Sequence, residues 1–280
     1  MAVGTIRPKR RLLQSGLTYI LLAFVVAIFT LPPVWVLITS IKPANIIHSS
    51  PPVWLFTPTL DHYVEVLNDD NLPKYFWNTI VVSVVSTIIA LTFGSLAAYS
   101  MSRFRTGGRY LLFATLVVRV LPPVVLGIPF FVMFNRLGLS DNILALVLTY
   151  TTFNLPFAIW LLIAFFDEVP SELEDAARID GCSRFGVFRR IALPLVQPGL
   201  VVGGILTFMY SWNHFFFAVV LTSSEAKTLP IVAAQYVTTW GIRWGALAAI
   251  ATLIMLLPIL LVFILQKRLV RGIAFGGVKG

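Results

Sequence analysis

Residues 170–194 of the chain read PSELEDAARIDGCSRFGVFRRIALP, a charged stretch between two long apolar runs. Ser171 and Glu174 have the S-x-x-E spacing of a capping box, in which two side chains satisfy free backbone amides at the start of a helix. Acidic residues fill the first turn, where the helix dipole favours negative charge. Gly181 can adopt positive φ and so end the helix. The stretch therefore predicts a short, capped helix.

Outward from this stretch, the sequence consists mainly of apolar runs. Hydrophobic residues make up 58% of the 280 residues and charged residues 12%, roughly half the charge of a soluble domain. Crossing about 30 Å of hydrocarbon takes roughly 20 helical residues. Six runs are long enough: Leu17–Ile41, Phe76–Ser100, Tyr110–Phe134, Ile143–Phe166, Gly199–Leu221 and Gly245–Leu265. The sequence predicts an all-α, polytopic membrane protein with six transmembrane helices.

The positions of Lys and Arg predict the orientation of these spans. With both termini in the cytoplasm, 15 of the 21 basic residues are internal and five are external, and Arg119 lies within the third span. Four basic residues precede the first span, as in a signal peptide. Its apolar run exceeds the roughly 7–15 residues of a signal core, and no cleavage site closes it. We expect a retained first helix and two cytoplasmic termini.

These spans divide the chain into segments. The segments are a cytoplasmic N-terminal segment 1–16, a first transmembrane helix 17–41, an extracytoplasmic loop 42–75, a transmembrane core 76–266 with an internal loop 167–195, and a cytoplasmic C-terminal tail 267–280. The long external loop is rich in proline, and a surface helix is predicted near Leu60–Leu67. This loop is either a structured connection or a docking surface for an external partner.

Several transport and binding classes are disfavoured by what the sequence lacks. All twelve Asp and Glu residues lie in loops, whereas proton-coupled carriers generally keep a carboxylate inside the bundle. Sodium coupling through carbonyls of broken helices stays open. Arg119, with two prolines close behind it, is expected to reach the cytoplasmic interface. The basic residues form no continuous patch, so no nucleic-acid partner is expected.

Catalytic, metal and nucleotide sites are also disfavoured. The one cysteine, Cys182, and three scattered histidines give no metal-ligand cluster. Residues 276–280 are the nearest match to a G-x-x-x-x-G-K-[ST] loop, and they lack the Ser or Thr that ligates magnesium. No Ser/His/Asp or paired-carboxylate arrangement occurs at plausible depth. We expect a non-catalytic chain whose ATP, if any, is bound by a partner.

The predicted internal helix has a face with little side-chain bulk. The residues at spacings of three and four that share this face are Leu173, Ala176, Ala177 and Asp180. A capped helix of this kind suits a groove on another protein, and a helix lying on lipid headgroups is the alternative. The acidic start of the helix disfavours the alternative, because the cytoplasmic leaflet is negative and attracts basic segments.

At this loop the sequence resembles a known family. Permease subunits of binding-protein-dependent ABC importers carry E-A-A, three residues, Gly, nine residues and I-x-L-P. Residues 175–177 (DAA), Gly181 and 191–194 (IALP) fit that spacing without a gap, with Asp in place of Glu. The resemblance implies a type I ABC importer permease fold, in which this segment is a cytoplasmic coupling helix seated in the ATPase subunit. The coupling residues that it implies are Glu174, Asp175, Ala176, Ala177, Arg178, Asp180 and Gly181.

More of the chain resembles the second permease of carbohydrate importers of the maltose and multiple-sugar type. The similar segments are 76–79 (FWNT), 137–139 (LGL), 153–158 (FNLPFA), 211–213 (SWN), 266–272 (QKRLVRG) and 278–280 (VKG). This resemblance implies a bacterial inner membrane, a homologous second permease, two ATPase subunits that bind ATP and Mg, and an extracytoplasmic sugar-binding protein. It implies no cofactor on this chain. Lys279 and Gly280 either enter the ATPase dimer interface or form a frayed end.

Sugar recognition needs hydrogen-bonding groups together with aromatic faces. The candidate substrate residues on the fourth and fifth spans are Asn154, Tyr210, Trp212, Asn213 and Phe216. Packing between helices, or a place in the interfacial aromatic belt, is the alternative role for these aromatic residues. His214 stands where the family pattern has an acid or another polar residue, which makes the sugar contacts less transferable.

The cargo is therefore predicted to be an oligosaccharide or disaccharide. An ABC permease for another solute, such as glycerol phosphate or a polyamine, has the same coupling helix and a different cargo. An ion-coupled secondary transporter would act without ATP, and a membrane enzyme is the weakest alternative.

Overall fold

The computed structural model describes residues 8–277, with side chains within residues 17–266 except Arg109 and Leu116. Helices account for most of these residues. The α-helices are α1 (Pro8–Ser40), α2 (Asp61–Leu67), α3 (Leu72–Phe104), α4 (Gly108–Val120), α5 (Pro123–Arg136), α6 (Ile143–Asp167), α7 (Ser171–Ile179), α8 (Arg184–Val187), α9 (Leu193–Leu195), α10 (Gln197–Trp212), α11 (Phe216–Leu221), α12 (Leu229–Gln235) and α13 (Trp244–Gly277). The other elements are a 3₁₀ turn at Ala44–Ile46, a π-helical turn at Phe188–Ala192, and an antiparallel pair of β1 (Val237–Thr238) and β2 (Gly241–Ile242). The helical prediction is confirmed, apart from this short hairpin.

Four of the described helical segments are each long and apolar enough to cross a membrane. They are Leu17–Ser40, Leu72–Phe104, Ile143–Asp167 and Trp244–Gln266. Two further pairs of helices meet the same requirement only if each pair is one broken span. These pairs are Tyr110–Val120 with Pro123–Arg136, bent by 91°, and Arg184–Leu195 with Gln197–Trp212, bent by 75°. The structure therefore holds four spans, or up to six, and the predicted third and fifth spans are not continuous helices.

Two prolines explain the break in the predicted third span. Leu121, which ends α4, is extended at φ −61° and ψ 127°, and Pro122 is extended at φ −59° and ψ 129°. A residue that precedes proline is driven out of the helical region by a clash with the proline ring. Pro123 then lies in the first turn of α5, where its missing N–H has no helical partner to lose.

The predicted fifth span is shorter than expected. α10 ends at Trp212, and Asn213 caps it at φ −94° and ψ 0°. The Asn213 side chain donates to the Met209 carbonyl at 2.9 Å, a local bond of the kind that competes with helix continuation. A separate short helix, α11, begins at Phe216. At the other end, α10 begins at Gln197, just after the 75° bend.

The chain forms two compact units, and the first comprises residues 1–69 and 236–253. The surface helix predicted for the long loop is confirmed in this unit as α2. His62 of α2 is buried, and its Nε2 donates to the Lys42 carbonyl at 2.9 Å. Gly245 lies against the same imidazole, where a Cβ atom would come within 2.2 Å. A side chain at Gly245 would therefore displace His62.

The second unit comprises residues 70–235 and 254–280. Within it α3, α6 and α10 pack against one another. Small residues allow the close approach of α3 to α6, because a Cβ atom on Gly94 would lie 2.9 Å from the Cβ of Ala158. Small residues at helix contacts are typical of membrane helices, whose association depends on close packing. This bundle carries the residues described next.

Candidate functional site

α7 is the short helix predicted between the fourth and fifth spans. It contains nine residues and ends at Ile179. Gly181 follows with φ +88°, and its N–H donates to the Arg178 carbonyl at 3.1 Å. A glycine in the left-handed region after the last turn is a common way to end a helix. The prediction that Gly181 ends this helix is confirmed.

The predicted capping box is wrong. Pro170 stands at the N-cap, and no side chain caps the helix. Glu174 is instead only 7% exposed, and its carboxylate accepts hydrogen bonds from the Tyr99 hydroxyl and from Arg103 Nε, both at 2.7 Å. Tyr99 and Arg103 lie in the last two turns of α3. Charge-assisted hydrogen bonds of this kind are the strong ones, and they satisfy the buried carboxylate better than a cap would.

Tyr99, Arg103 and Glu174 join α3 to α7, and we call them the α3–α7 cluster. Arg103 also donates through Nη2 to the carbonyl of Val169 at 2.6 Å, just before α7 begins. The Arg103 and Glu174 side chains are 15% and 9% exposed, so water screens their attraction little. The cluster therefore bonds α7 and Val169 to the end of α3.

The opposite face of α7 is open. Ile179 is 87% exposed and Leu173 is 47% exposed, which is unusual for apolar side chains on a charged helix. Ala177 and Glu174, by contrast, are buried within the chain. The predicted coupling residues that remain exposed are Asp175, Ala176, Arg178, Asp180 and Gly181. Exposed apolar side chains rimmed by charges are typical of a protein interaction surface.

The described residues provide no metal centre. Within residues 8–277, no group of three or more His, Cys, Asp or Glu is placed to hold a metal ion. Cys182 is free and half-buried, directly after α7.

The predicted tail residues Lys279 and Gly280 lie outside the described residues.

Two of the predicted substrate residues make contacts between helices. Asn154 is fully buried, and its Nδ2 donates to Ser211 Oγ at 2.8 Å. Ser211 Oγ lies 3.0 Å from Ser86 Oγ, so this polar group links α6, α10 and α3. Trp212 is also fully buried, and its Nε1 donates to the Ile254 carbonyl at 3.0 Å. Within the chain, Trp212 therefore takes the packing role that the sequence left as the alternative for the aromatic residues, and Asn154 forms a hydrogen bond between helices.

The other three predicted substrate residues lie at more open positions. Asn213 is exposed, while Tyr210 and Phe216 are half-buried. The ring of Tyr210 lies 4.9 Å from that of His214. Phe216 packs on Gly127 of α5, where a Cβ atom would come within 2.9 Å of the ring. These three residues remain predicted substrate contacts.

Sequence reasoning missed the role of Arg119. Its Nη1 donates to the Phe153 carbonyl at 3.1 Å, and its guanidinium carbon lies 4.5 Å from the ring centre of Phe157 and 5.3 Å from that of Tyr210. Phe153 is ten residues from the start of α6, which is about 15 Å along the helix. These contacts are with the middle of α6 and not with its Asp167 end, which disfavours the expectation that Arg119 reaches the cytoplasmic interface. A lone charge in an apolar run was the signal that it has a role within the bundle.

Asp141 organises the loop before α12. Its carboxylate accepts hydrogen bonds from the backbone amides of residues 223–226 at 2.9–3.0 Å, and from the hydroxyls of Ser223 and Ser224 at 2.8 and 3.1 Å. Burial raises the pKa of Asp141, but the amide hydrogen bonds outweigh burial and hold this pKa well below its ordinary value. Asp141 is therefore ionised at any physiological pH.

The Leu72 end of α3 holds the same loop. Asn78 donates through Nδ2 to the carbonyls of Glu225 and Lys227 at 2.8 and 3.0 Å. The hydroxyl of Thr79 accepts from the Leu229 amide at 2.9 Å. α3 is thus bonded to loop 222–229 near one end and to α7 near the other.

Comparison with known proteins gives the relatives of this chain. Residues 90–275 match the family described as binding-protein-dependent transport system inner membrane component. The chain is 34% identical over 253 residues to the sulfoquinovosyl glycerol transport system permease protein SmoH of Agrobacterium fabrum, covering 89% of this chain and 88% of that protein. It is 34% identical over 279 residues to the trehalose/maltose transport system permease protein MalG of Thermococcus litoralis, covering 97% and 98%.

A solved structure shares the fold. The chain superposes on one chain of a bacterial ABC transporter involved in the import of the acidic polysaccharide alginate, with a TM-score of 0.73. The match covers 95% of this chain and 99% of that chain at 22% identity. Fold, motif and relatives agree, and the chain belongs to the family of inner-membrane permease components of binding-protein-dependent ABC importers.

Proposed function

We propose that this permease forms half of a translocation pathway and receives the work of ATP hydrolysis through α7. The observation that carries the proposal is the arrangement of α7, which is open on one face and bonded to α3 on the other. A rigid element that a partner moves and that is tied to a membrane helix can shift a two-state gate. The exposed residues 175, 176, 178, 180 and 181 supply the contact with the ATPase.

The partners follow from this role. Two ATPase subunits bind and hydrolyse ATP with Mg, a homologous second permease supplies the other half of the pathway, and an extracytoplasmic binding protein delivers the cargo. The chain itself is non-catalytic and binds no cofactor. The dependence on a binding protein is supported by the description of the matching family.

The proposed cargo is a carbohydrate. Relatives over nearly the whole chain are named for the transport of sulfoquinovosyl glycerol and of trehalose and maltose. Tyr210, Asn213 and Phe216 offer aromatic faces and an amide at accessible positions. An importer for another solute, such as glycerol phosphate or a polyamine, is the second candidate, because it would use the same α7.

The proposed topology has six crossings, of which the third (α4 with α5) and the fifth (α10 with α11) are broken helices. Both termini lie in the cytoplasm of a bacterial cell, so segments 1–16, 101–109, 167–195 and 267–280 are internal and loop 42–75 is external. The threefold excess of Lys and Arg in the proposed internal segments supports this orientation.

A charge on the open face of α7 tests the coupling proposal. Ala176→Arg places a long cation where a close contact is proposed, and we expect loss of ATPase co-purification and of ATP-driven uptake. Ala176→Ser, which adds little bulk, is the matched control and should keep both. Normal assembly and uptake in Ala176→Arg would contradict the proposal. Uptake by the purified chain in liposomes without ATP would favour a secondary transporter instead.

A screen of solutes tests the cargo. The assembled complex with its binding protein should show ATPase stimulation by carbohydrates and none by glycerol phosphate or polyamines. The opposite pattern would change the cargo and leave the coupling proposal intact.

A further inference from the structure

Arg119 lies in the last turn of α4, just before the bend into α5, and its hydrogen-bond partner lies near the middle of α6. Arg119 is eleven residues from the start of α4 at Gly108, which is about 16 Å of helix. Its hydrogen-bond partner, the Phe153 carbonyl, is about 15 Å from Ile143 and about 21 Å from Asp167 along α6. In the proposed topology, in which α6 crosses the membrane, the position of Phe153 places the guanidinium near the middle of a hydrocarbon layer about 30 Å thick.

The charge of Arg119 is not balanced by a carboxylate within the described part of the chain. The ion pairs formed there do not include Arg119. A charged side chain at such depth is costly, and residues of this kind mark substrate and ion pathways. One carbonyl and the faces of Phe157 and Tyr210 offset part of this cost.

The hydrogen-bonding capacity of Arg119 exceeds what the chain uses. A guanidinium has five N–H donors, and the described contacts engage one of them, at the Phe153 carbonyl. Aromatic rings accept no conventional hydrogen bond, so Phe157 and Tyr210 hold the cation without occupying its donors. The Arg119 side chain is exposed within this chain. The remaining donors are therefore available to a ligand in the pathway.

We propose that Arg119 binds an anionic oxygen group, such as a carboxylate or sulfonate, on an acidic carbohydrate that passes through the permease. The inference rests on the proposed carbohydrate import and makes it more specific. The planar guanidinium matches the two oxygens of such a group in a bidentate pair. Tyr210 borders the cation and offers its ring to the sugar.

The permanent charge argues against neutral or cationic cargo. Sugar hydroxyls can be bonded by a neutral amide without the cost of a desolvated cation. A lysine ammonium would act as a point charge, and it lacks the planar set of N–H donors that can bind two oxygens at once. A polyamine would meet like-charge repulsion in a medium of low dielectric constant. An anion both uses the free donors and neutralises the charge.

The test uses the whole importer, with its binding protein and ATPase, in proteoliposomes. The probes are maltose, trehalose, cellobiose and galactobiose, each compared with the uronate in which one terminal hydroxymethyl group is a carboxylate. We expect ATP-dependent uptake of at least one uronate to exceed that of its neutral counterpart by tenfold or more. Uptake of neutral disaccharides alone would overturn the inference and leave carbohydrate import standing. Uptake of none of the probes would overturn both.

Substitutions then assign the preference to the residue. Arg119→Gln should lower uptake of the preferred uronate by tenfold or more, and Arg119→Lys should restore part of it. Arg136→Gln removes the same charge at the exposed end of α5 and should change uptake less than twofold. Unaltered uronate uptake in Arg119→Gln would overturn the assignment. Loss of co-purification with the second permease in both Arg119 variants would overturn it too, because the residue would then serve assembly.

Discussion

Asp141 lies in the left-handed region at φ +51°, and from there its carboxylate meets four consecutive amides of the neighbouring loop. Successive amides that converge on one anion form a compact anion site within the chain. The pKa of Asp141 is held below its unfolded value of about 3.9. Its stabilising contribution is therefore fully present above about pH 5 and is lost only as the pH falls toward the lowered pKa.

Asp141→Asn should destabilise the protein. One carboxylate oxygen becomes an NH₂ group, a donor that faces the backbone amides of residues 223–226, which also donate. We expect a loss of about 1–3 kcal/mol in the free energy of unfolding, measured by denaturant unfolding in detergent. The loss should be equal at pH 5 and pH 8, since Asp141 is charged at both. Asp70→Asn, at an exposed acid, is the control and should change stability little. Equal stability of Asp141→Asn and the parent would show that hydrogen bonds to water satisfy these backbone amides as well as the carboxylate does.

At the scale of elements, we expect the α3–α7 cluster to determine whether a displacement of α7 by the ATPase moves α3. Glu174→Gln keeps the shape of the side chain and the bond from Tyr99, but removes the charge that holds Arg103. Leaving a buried donor poorly satisfied costs about 1–3 kcal/mol. We therefore expect normal assembly and ATP hydrolysis, with transport per ATP reduced on the order of tenfold, or about 1.4 kcal/mol.

The measurement is the ratio of uptake to ATP hydrolysed in proteoliposomes. Glu168→Gln removes an exposed carboxylate from the same loop and should leave the ratio unchanged. Arg103→Gln should reproduce the defect of Glu174→Gln, and the double variant should be no worse, because the two residues act together. An unchanged ratio in Glu174→Gln would show that α7 and α3 are coupled by other contacts.

The elements also show how far the sequence could predict this structure. α7 and its end at Gly181 were predictable, because the signals that start and end a helix are local. The break at Leu121 has an equally local cause, because the prolines that follow it prevent a continuous helix. The role of Glu174 was not predictable, since the capping-box pattern is the same whether the carboxylate turns to its own helix or to Arg103. Asn154 is a similar case, because only the packing of helices identifies its partner.

At the scale of the whole molecule, the proposed topology depends on charge bias, and one cysteine can test it. Cys182 is half-buried after α7 and should react with a membrane-impermeant maleimide in inside-out vesicles but not in intact spheroplasts. The matched variant combines Cys182→Ser with Asn68→Cys, in the proposed external loop, and should show the reverse pattern. Labelling of Cys182 from outside would invert the topology and place α7 out of reach of ATP.

Helix α3 runs without a break for 33 residues, about 50 Å, which exceeds the hydrocarbon layer. Near one end it holds the loop of residues 222–229, and near the other it holds α7. In the proposed orientation, this one continuous helix is thus hydrogen-bonded to other parts of the chain near both faces of the membrane. Linkage then requires reciprocity. The factor by which bound nucleotide changes the affinity for an external ligand must equal the factor by which that ligand changes the affinity for nucleotide.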